Sequence, residues 1–176
     1  MQRKSLYLKN IFMQLFPSDL LQFKECYEKY NFKFFTIKPE KESAEYNAHD
    51  LIINDLNIKF RSSKITPTKT GQFVTLWKRS ETGPISPFES SDSIDFVIIC
   101  SKNDSYLGYF IFPKAMLVEK GIFSDKKEGK RAFRVYPPWD IGQNNQAKKT
   151  QKWQLNYFFD FSKVQDQNNL ESFFKV

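Results

Sequence analysis

The chain has 176 residues and carries 27 Lys and Arg against 20 Asp and Glu, a formal net charge of +7 with a pI near 9.3. Its length suits one domain, spanning 1–176, with a hydrophobic core of its own, and 19 Phe, 8 Tyr and 3 Trp predict that core to be rich in phenylalanine. Two cysteines, Cys26 and Cys100, exclude a disulfide framework, and no stretch approaches the roughly 20 apolar residues that span a bilayer.

In chain order, Leu8, Ile11, Phe12, Leu15 and Phe16 share one helical face, which predicts a first helix ended by Pro17. Arg3 and Lys4 precede only a short apolar run with no cleavage site, so no export signal is expected and the chain reads as cytoplasmic, without a membrane partner. Ser18 or Asp19 caps a second helix, whose stripe of Leu20, Phe23, Tyr27 and Tyr30 marks core. Residues 32–37 read as extended and 39–43 as an exposed polar loop. Strands at 50–53 and 58–61 form a hairpin across Asn54-Asp55, and a strand at 73–77 follows a Thr70-Gly71 turn.

Gly83-Pro84 and Pro87 predict a loop. Residues 94–99 are almost continuously apolar, as in a central strand covered on both faces, and 106–112 pairs back onto it. One or two helical turns at 115–119, closed by Gly121, precede a strand at 131–136 that Pro137-Pro138 stops. A well-capped helix is expected over 144–158, and a last short helix in the tail from Val164 to Phe173-Phe174. Helices followed by a mixed sheet make an α/β (α+β) domain.

The charge is not spread evenly. Residues 57–79 hold six cations (Lys59, Arg61, Lys64, Lys69, Lys78, Arg79) and no carboxylate, and residues 126–152 hold eight cations against Glu128 and Asp140. The remainder of the chain is slightly acidic. Cations interleaved with aromatics are the composition of a polyanion-binding surface, with charge for phosphates and flat faces for bases.

Other chemistries lack their parts. His49 is the one histidine, so no zinc site can be built from the usual ligands, and neither a G-x-G-x-x-G nor a G-x-x-x-x-G-K-[ST] loop exists to cradle a nucleotide cofactor. No cofactor and no metal are expected. Carboxylate-and-lysine chemistry remains: Glu45 and Asp50 are followed by Lys59 and Arg61 on the partner strand of the predicted hairpin. A magnesium site needs carboxylates on adjacent strands, and here cations stand where the second acid belongs.

The strings K-I-T-P-T-K-T-G-Q-F-V-T-L-W-K-R (residues 64–79), G-K-R-A-F-R-V-Y-P-P-W-D (129–140) and K-T-Q-K-W-Q (149–154) resemble the bacterial MepB family over about residues 45–158. That family takes its name from a protein encoded beside a multidrug efflux pump, and the resemblance implies no established activity. The order helix, H-D-L-I-I, I-K-F-R, I-D-F-V-I-I and Y-F-I-F-P also resembles the restriction-endonuclease-like PD-(D/E)XK core. Asp50 matches that motif's first acid, and Lys59-Phe60-Arg61 falls on its E-x-K. The resemblance implies a three-layer αβα domain with a mixed sheet, N-terminal helices and a degenerate nuclease-like site.

On this reading the chain binds nucleic acid through Arg61, Lys64, Lys69, Lys78, Arg79, Lys130, Arg131 and Arg134, with Trp139 as a stacking surface and Trp77 or Tyr136 as further candidates. The alternatives are a metal-dependent nuclease using Glu45, Asp50 and Asp95, or an efflux-linked accessory that binds a protein or an anionic ligand along K-R-A-F-R-V-Y-P-P-W.

Overall fold

Asn54 and Asp55 both take positive φ, +47° and +65°, which is the backbone of a two-residue hairpin turn with the right-handed twist of its strands. The structure, a computed structural model, describes residues 16–30, 32–79 and 83–160 with Lys163, Ser172 and Phe174. The expected first helix before Pro17 and most of the expected tail helix lie outside the described residues.

Helix α1 (Ser18–Glu28) leads into β1 (Phe34–Pro39), and the hairpin joins β2 (His49–Ile53) to β3 (Leu56–Ser62). The chain then leaves this sheet through β4 (Lys64–Thr66), β5 (Lys69–Thr75), β6 (Trp77–Arg79) and β7 (Ile85–Pro87). It returns as β8 (Phe96–Lys102) and β9 (Leu107–Pro113), followed by α2 (Lys114–Glu119), β10 (Ala132–Val135), α3 (Asn145–Gln154) and β11 (Phe158–Asp160). The main sheet runs β1-β2-β3-β8-β9-β11, antiparallel throughout except for the parallel pair β3–β8. A parallel pair needs a crossover, and the excursion through β4 to β7 supplies it. The architecture is α+β around a mixed sheet, as the sequence predicts.

Strand β8 explains the layering. Phe96, Ile98 and Cys100 face one side with Phe60 and Tyr109, where Leu20, Phe23 and Tyr27 of α1 cover them. Val97 and Ile99 face the other side, against Val74 and Val135 of a small sheet ordered β10-β5-β4 and Leu76 just beyond β5. Both faces are therefore dry, which is why the strand reads as an unbroken apolar run. Leu117 of α2 and Trp153 of α3 complete the second layer, so helices lie on both sides and share one of them with the small sheet. Phe174 closes the first layer, 5.6 Å from Tyr27 and 5.3 Å from Phe96 between ring centres.

Several element boundaries differ from expectation, among them β8, expected over 94–99 and found at Phe96–Lys102. The helix expected over 144–158 stops at Gln154, passes through a 3-10 turn (Leu155–Tyr157) and becomes β11. Phe158 and Phe159 are consecutive and both buried, in opposite core layers, and only extended chain sends adjacent side chains to opposite faces. Its start is as expected, with the Asn144 side chain accepting the Ala147 N–H at 2.8 Å. Residues 85–87, expected as loop, pair antiparallel with β6. The strand expected over 73–77 begins earlier and ends at Thr75, because Leu76 is buried and turns its N–H to the Arg131 carbonyl.

Candidate functional site

The β2–β3 hairpin sets Asp50 opposite Lys59, and the Lys59 ammonium lies 2.5 Å from Asp50 and 3.4 Å from Glu40. Glu40 follows β1 and is held there by its N–H bond to the Ala48 carbonyl. It also receives the Arg61 guanidinium on both oxygens, at 2.5 and 3.1 Å, while Arg61 donates a further bond to the Phe60 carbonyl. Two cations and two carboxylates neutralise one another here. Glu40 is 12% exposed and corrects the expectation of an exposed polar loop over 39–43. Nothing in its local sequence distinguishes it, since its position depends on β1 pairing with β2.

Arg61 is wholly buried, and this removes it from the expected phosphate contacts: a side chain at 0% exposure has no face to offer a ligand. Glu45 is exposed on a 3-10 turn (Ala44–Tyr46) and makes no hydrogen bond or ion pair with the quartet. Asp95 accepts the Asn57 N–H at 2.8 Å and so anchors the start of β3. Among the described residues, no three His, Cys, Asp or Glu side chains gather in a way that could hold a metal ion.

The remaining cations divide by partner. Lys78 lies 2.7 Å from Asp92 and 3.4 Å from Glu89. Burial pulls its ammonium down, but these carboxylates more than offset that and leave it above its ordinary value. Arg79 meets Glu42 at 2.8 Å and lies over the half-buried Trp77, and Arg131 meets Glu128 at 2.7 Å. By contrast, Lys64, Lys69, Lys130 and Arg134 pair with no carboxylate among the described residues.

Two of those four, Lys64 and Arg134, share one surface. In the small sheet, Phe73 of β5 pairs with Lys64 of β4 on one side and Arg134 of β10 on the other, so the three side chains share its outer face. Arg134 lies 5.7 Å over the Phe73 ring, Lys64 lies 4.6 Å over Tyr46, and the rings of Tyr46 and Phe73 are 6.2 Å apart. Arg134 also donates to the Gly71 carbonyl at 2.8 Å and to the Thr66 hydroxyl at 2.8 Å, which ties β10 to the turn that carries Lys69. The first and second basic blocks therefore meet at Arg134.

Beyond the edge of β10 a groove of about 500 Å³ opens against α3. Two glutamines hold its walls together. Gln154, fully buried, accepts the Tyr136 N–H and donates to the Arg134 carbonyl, while Gln151 donates to the carbonyls of Pro137 and Asp140. Lys120, Lys130, Arg134 and Lys149 line the groove with Tyr136 and Trp153, and among the described residues no carboxylate lines it. Lys120 reaches Glu119 at 2.7 Å and stands over the Trp153 ring. Lys149 makes no ion pair among the described residues. Sequence reasoning misses Lys120 and Lys149; the signal available for Lys149 is its place in K-T-Q-K-W-Q.

Trp139, expected as a stacking surface, is partly buried. It stacks on Tyr106 with ring centres 5.4 Å apart and meets Phe158 edge-on, and its Nε1 has no hydrogen-bond partner among the described residues. Its exposed neighbour Tyr106 covers the face that a base would need.

Comparison with known proteins then places the chain. A family model described as MepB-like matches residues 40–160. The chain belongs to the MepB-like family. A crystal structure of MepB is similar at 34% identity with a TM-score of 0.72, covering 93% of this chain and 99% of that one. A bacterial homing endonuclease is similar at 11% identity with a TM-score of 0.44, covering 80% of this chain and 88% of that one. A search of curated proteins finds no match. In this MepB-like chain, the strings 129–140 and 149–154 form most of the groove lining, and 64–79 forms β4, β5 and β6. Among its described residues, no helix is long and apolar enough to cross a membrane.

Proposed function

We propose that this MepB-like protein binds nucleic acid on the outer face of the small sheet and in the adjoining groove, and that its carboxylate cluster is a degenerate, non-catalytic nuclease-like site. The observation that carries this reading is a concave surface lined, among the described residues, by four cations and no carboxylate; three of the cations (Lys130, Arg134 and Lys149) have no ion-pair partner there. Uncompensated positive charge in a concavity focuses the field and draws polyanions. Lys64, Lys69, Lys130 and Arg134 are the nominated cations that remain, and Lys120 and Lys149 join them. Phe73, Tyr136 and Trp153 interleave these charges with flat apolar faces, the combination that phosphates and bases together require.

At the other cluster, Lys59 and Arg61 occupy the positions beside Asp50 and Glu40 where a divalent cation would need open carboxylates. The cysteines are free and buried, which suits a reducing compartment such as the cytoplasm.

A binding titration with labelled oligonucleotides at two salt concentrations tests the proposal. Affinity should fall with log[salt] at a slope of about −0.7 to −0.9 per phosphate bound. Failure to bind single or double strands even at low salt would end the reading.

A further inference from the structure

We infer that the groove between β10 and α3 seats one unstacked nucleotide, so the preferred ligand is single-stranded nucleic acid rather than duplex. This deepens the binding proposal and rests on it. Three features of the groove point the same way.

The first is size. A volume of about 500 Å³ falls among pockets that enclose one small molecule, roughly 300–1,000 Å³. A duplex is too broad to enter such a space and presents only its backbone and groove edges. A single nucleotide fits whole.

The second is the lining. Phosphate recognition alone needs donors and charge, yet Tyr136 on one wall and Trp153 on the other contribute ring surfaces, with the largely buried Ile122 and Phe133 behind them. Such surface gains nothing from a phosphate and much from a base with an exposed π-face, which only unpaired strands offer. Gln146 and Thr150 add polar atoms that can meet a base edge.

The third is the division of labour among the cations. Arg134 is held by the Gly71 carbonyl and the Thr66 hydroxyl, and Lys120 by Glu119. Lys130 and Lys149 have no such partner among the described residues and come from opposite sides of the groove, Lys130 just ahead of β10 and Lys149 on α3. They are the pair that can close on a phosphate while the base lies against the rings. The row Lys64–Phe73–Arg134 beyond β10 repeats the pattern of cation, ring and cation, and extends the track for the strand.

The test compares a labelled oligothymidine with a duplex of matching length whose ends are closed by loops, at low salt, on the wild-type protein, on Lys130→Ala/Lys149→Ala and on Tyr136→Leu. The single strand should bind about tenfold tighter or more. The double lysine variant should weaken the single strand and erase that preference, while Tyr136→Leu should weaken it without flattening the salt dependence. Thymidine monophosphate should displace the labelled strand at lower concentration than inorganic phosphate does.

Equal affinity for the closed duplex would overturn the inference and leave the polyanion reading standing. A strand preference that survives Lys130→Ala/Lys149→Ala, or a mononucleotide no better than phosphate, would overturn it as well. If neither nucleic acid binds, the binding proposal itself fails, and this inference with it.

Discussion

Arg61 and Glu40 lie 21 residues apart in the chain and join end on, with Nη1 at 2.5 Å and Nη2 at 3.1 Å from the two carboxylate oxygens. Arg61 has no solvent contact and its Nε has no partner among the described residues, so Glu40 is its main counter-charge. A buried pair contributes little relative to apolar residues of the same shape, but breaking it leaves an uncompensated charge. Glu40→Gln should therefore lower stability by about 3 kcal/mol. Arg61→Met combined with Glu40→Gln should cost much less than the two single changes together. Urea unfolding of the four proteins checks this, and additive losses would contradict it.

Gly71 sits at φ +79°, and a Cβ there would stand 2.5 Å from the Tyr136 ring. Gly71→Ala would strain the backbone and push Tyr136 at the mouth of the groove. A loss of about 1–3 kcal/mol is expected, with weakened oligonucleotide binding. Thermal unfolding and a binding titration measure the two effects, and an unchanged melting temperature would show that the turn accommodates the methyl group.

The partition of cations gives opposite outcomes for residues alike in sequence. Lys64→Ala with Lys69→Ala should weaken nucleic-acid binding about uniformly across sequences and flatten the salt slope by roughly 0.7–0.9 for each phosphate no longer neutralised. Lys78→Ala, which removes a partner of Asp92 and Glu89, should leave the slope nearly unchanged. Equal effects from both sets would mean that net charge alone governs binding.

Asp50 is bound by Lys59 at 2.5 Å, and Glu40 is shared between Lys59 and Arg61. An ammonium in place of an acid beside a metal position changes the interaction by several kcal/mol, since unit charges about 4 Å apart interact by roughly 4 kcal/mol at an effective dielectric near 20. Purified protein should leave plasmid and single strands intact in Mg²⁺ or Mn²⁺. Cleavage that disappears in Asp50→Ala would reverse this conclusion and make the cluster an active centre.

Burial holds the Asp140 carboxyl above its ordinary value of 3.8. A folded-state value above the unfolded one means that the folded protein binds this proton more tightly. The associated stability is present in full below the unfolded value and is lost as pH rises through the folded one. Asp140→Asn should thus stabilise the protein at pH 7, with a gain that shrinks toward zero below about pH 4. Thermal unfolding at both pH values decides this, and a gain of equal size at each would assign it to something other than titration.

Patterns that depend on near neighbours were legible in the sequence. The β2–β3 hairpin follows from Asn54-Asp55, the double-sided burial of β8 from its apolar run, and the core face of α1 from Leu20, Phe23 and Tyr27. Each is a repeat of period 2 or 3.6, or a turn that two residues specify, and such rules act over a few bonds. Whether a cation is free or neutralised is different, because a carboxylate distant in sequence decides it. Arg61 and Lys64 are three residues apart in one basic block, yet Glu40 takes the first into the interior while the second stays exposed over Tyr46. Asp92 and Glu42 occupy Lys78 and Arg79 in the same way. Gln154 and Gln151 hold α3 against β10 and the segment that follows it, and the groove between them brings together Lys149 and Lys130. Sequence by itself determined the central strands β2, β3, β8 and β9, the core and the presence of two basic blocks. Tertiary structure decided which charges remain uncompensated, because Coulomb's law depends on distance through space and not along the chain.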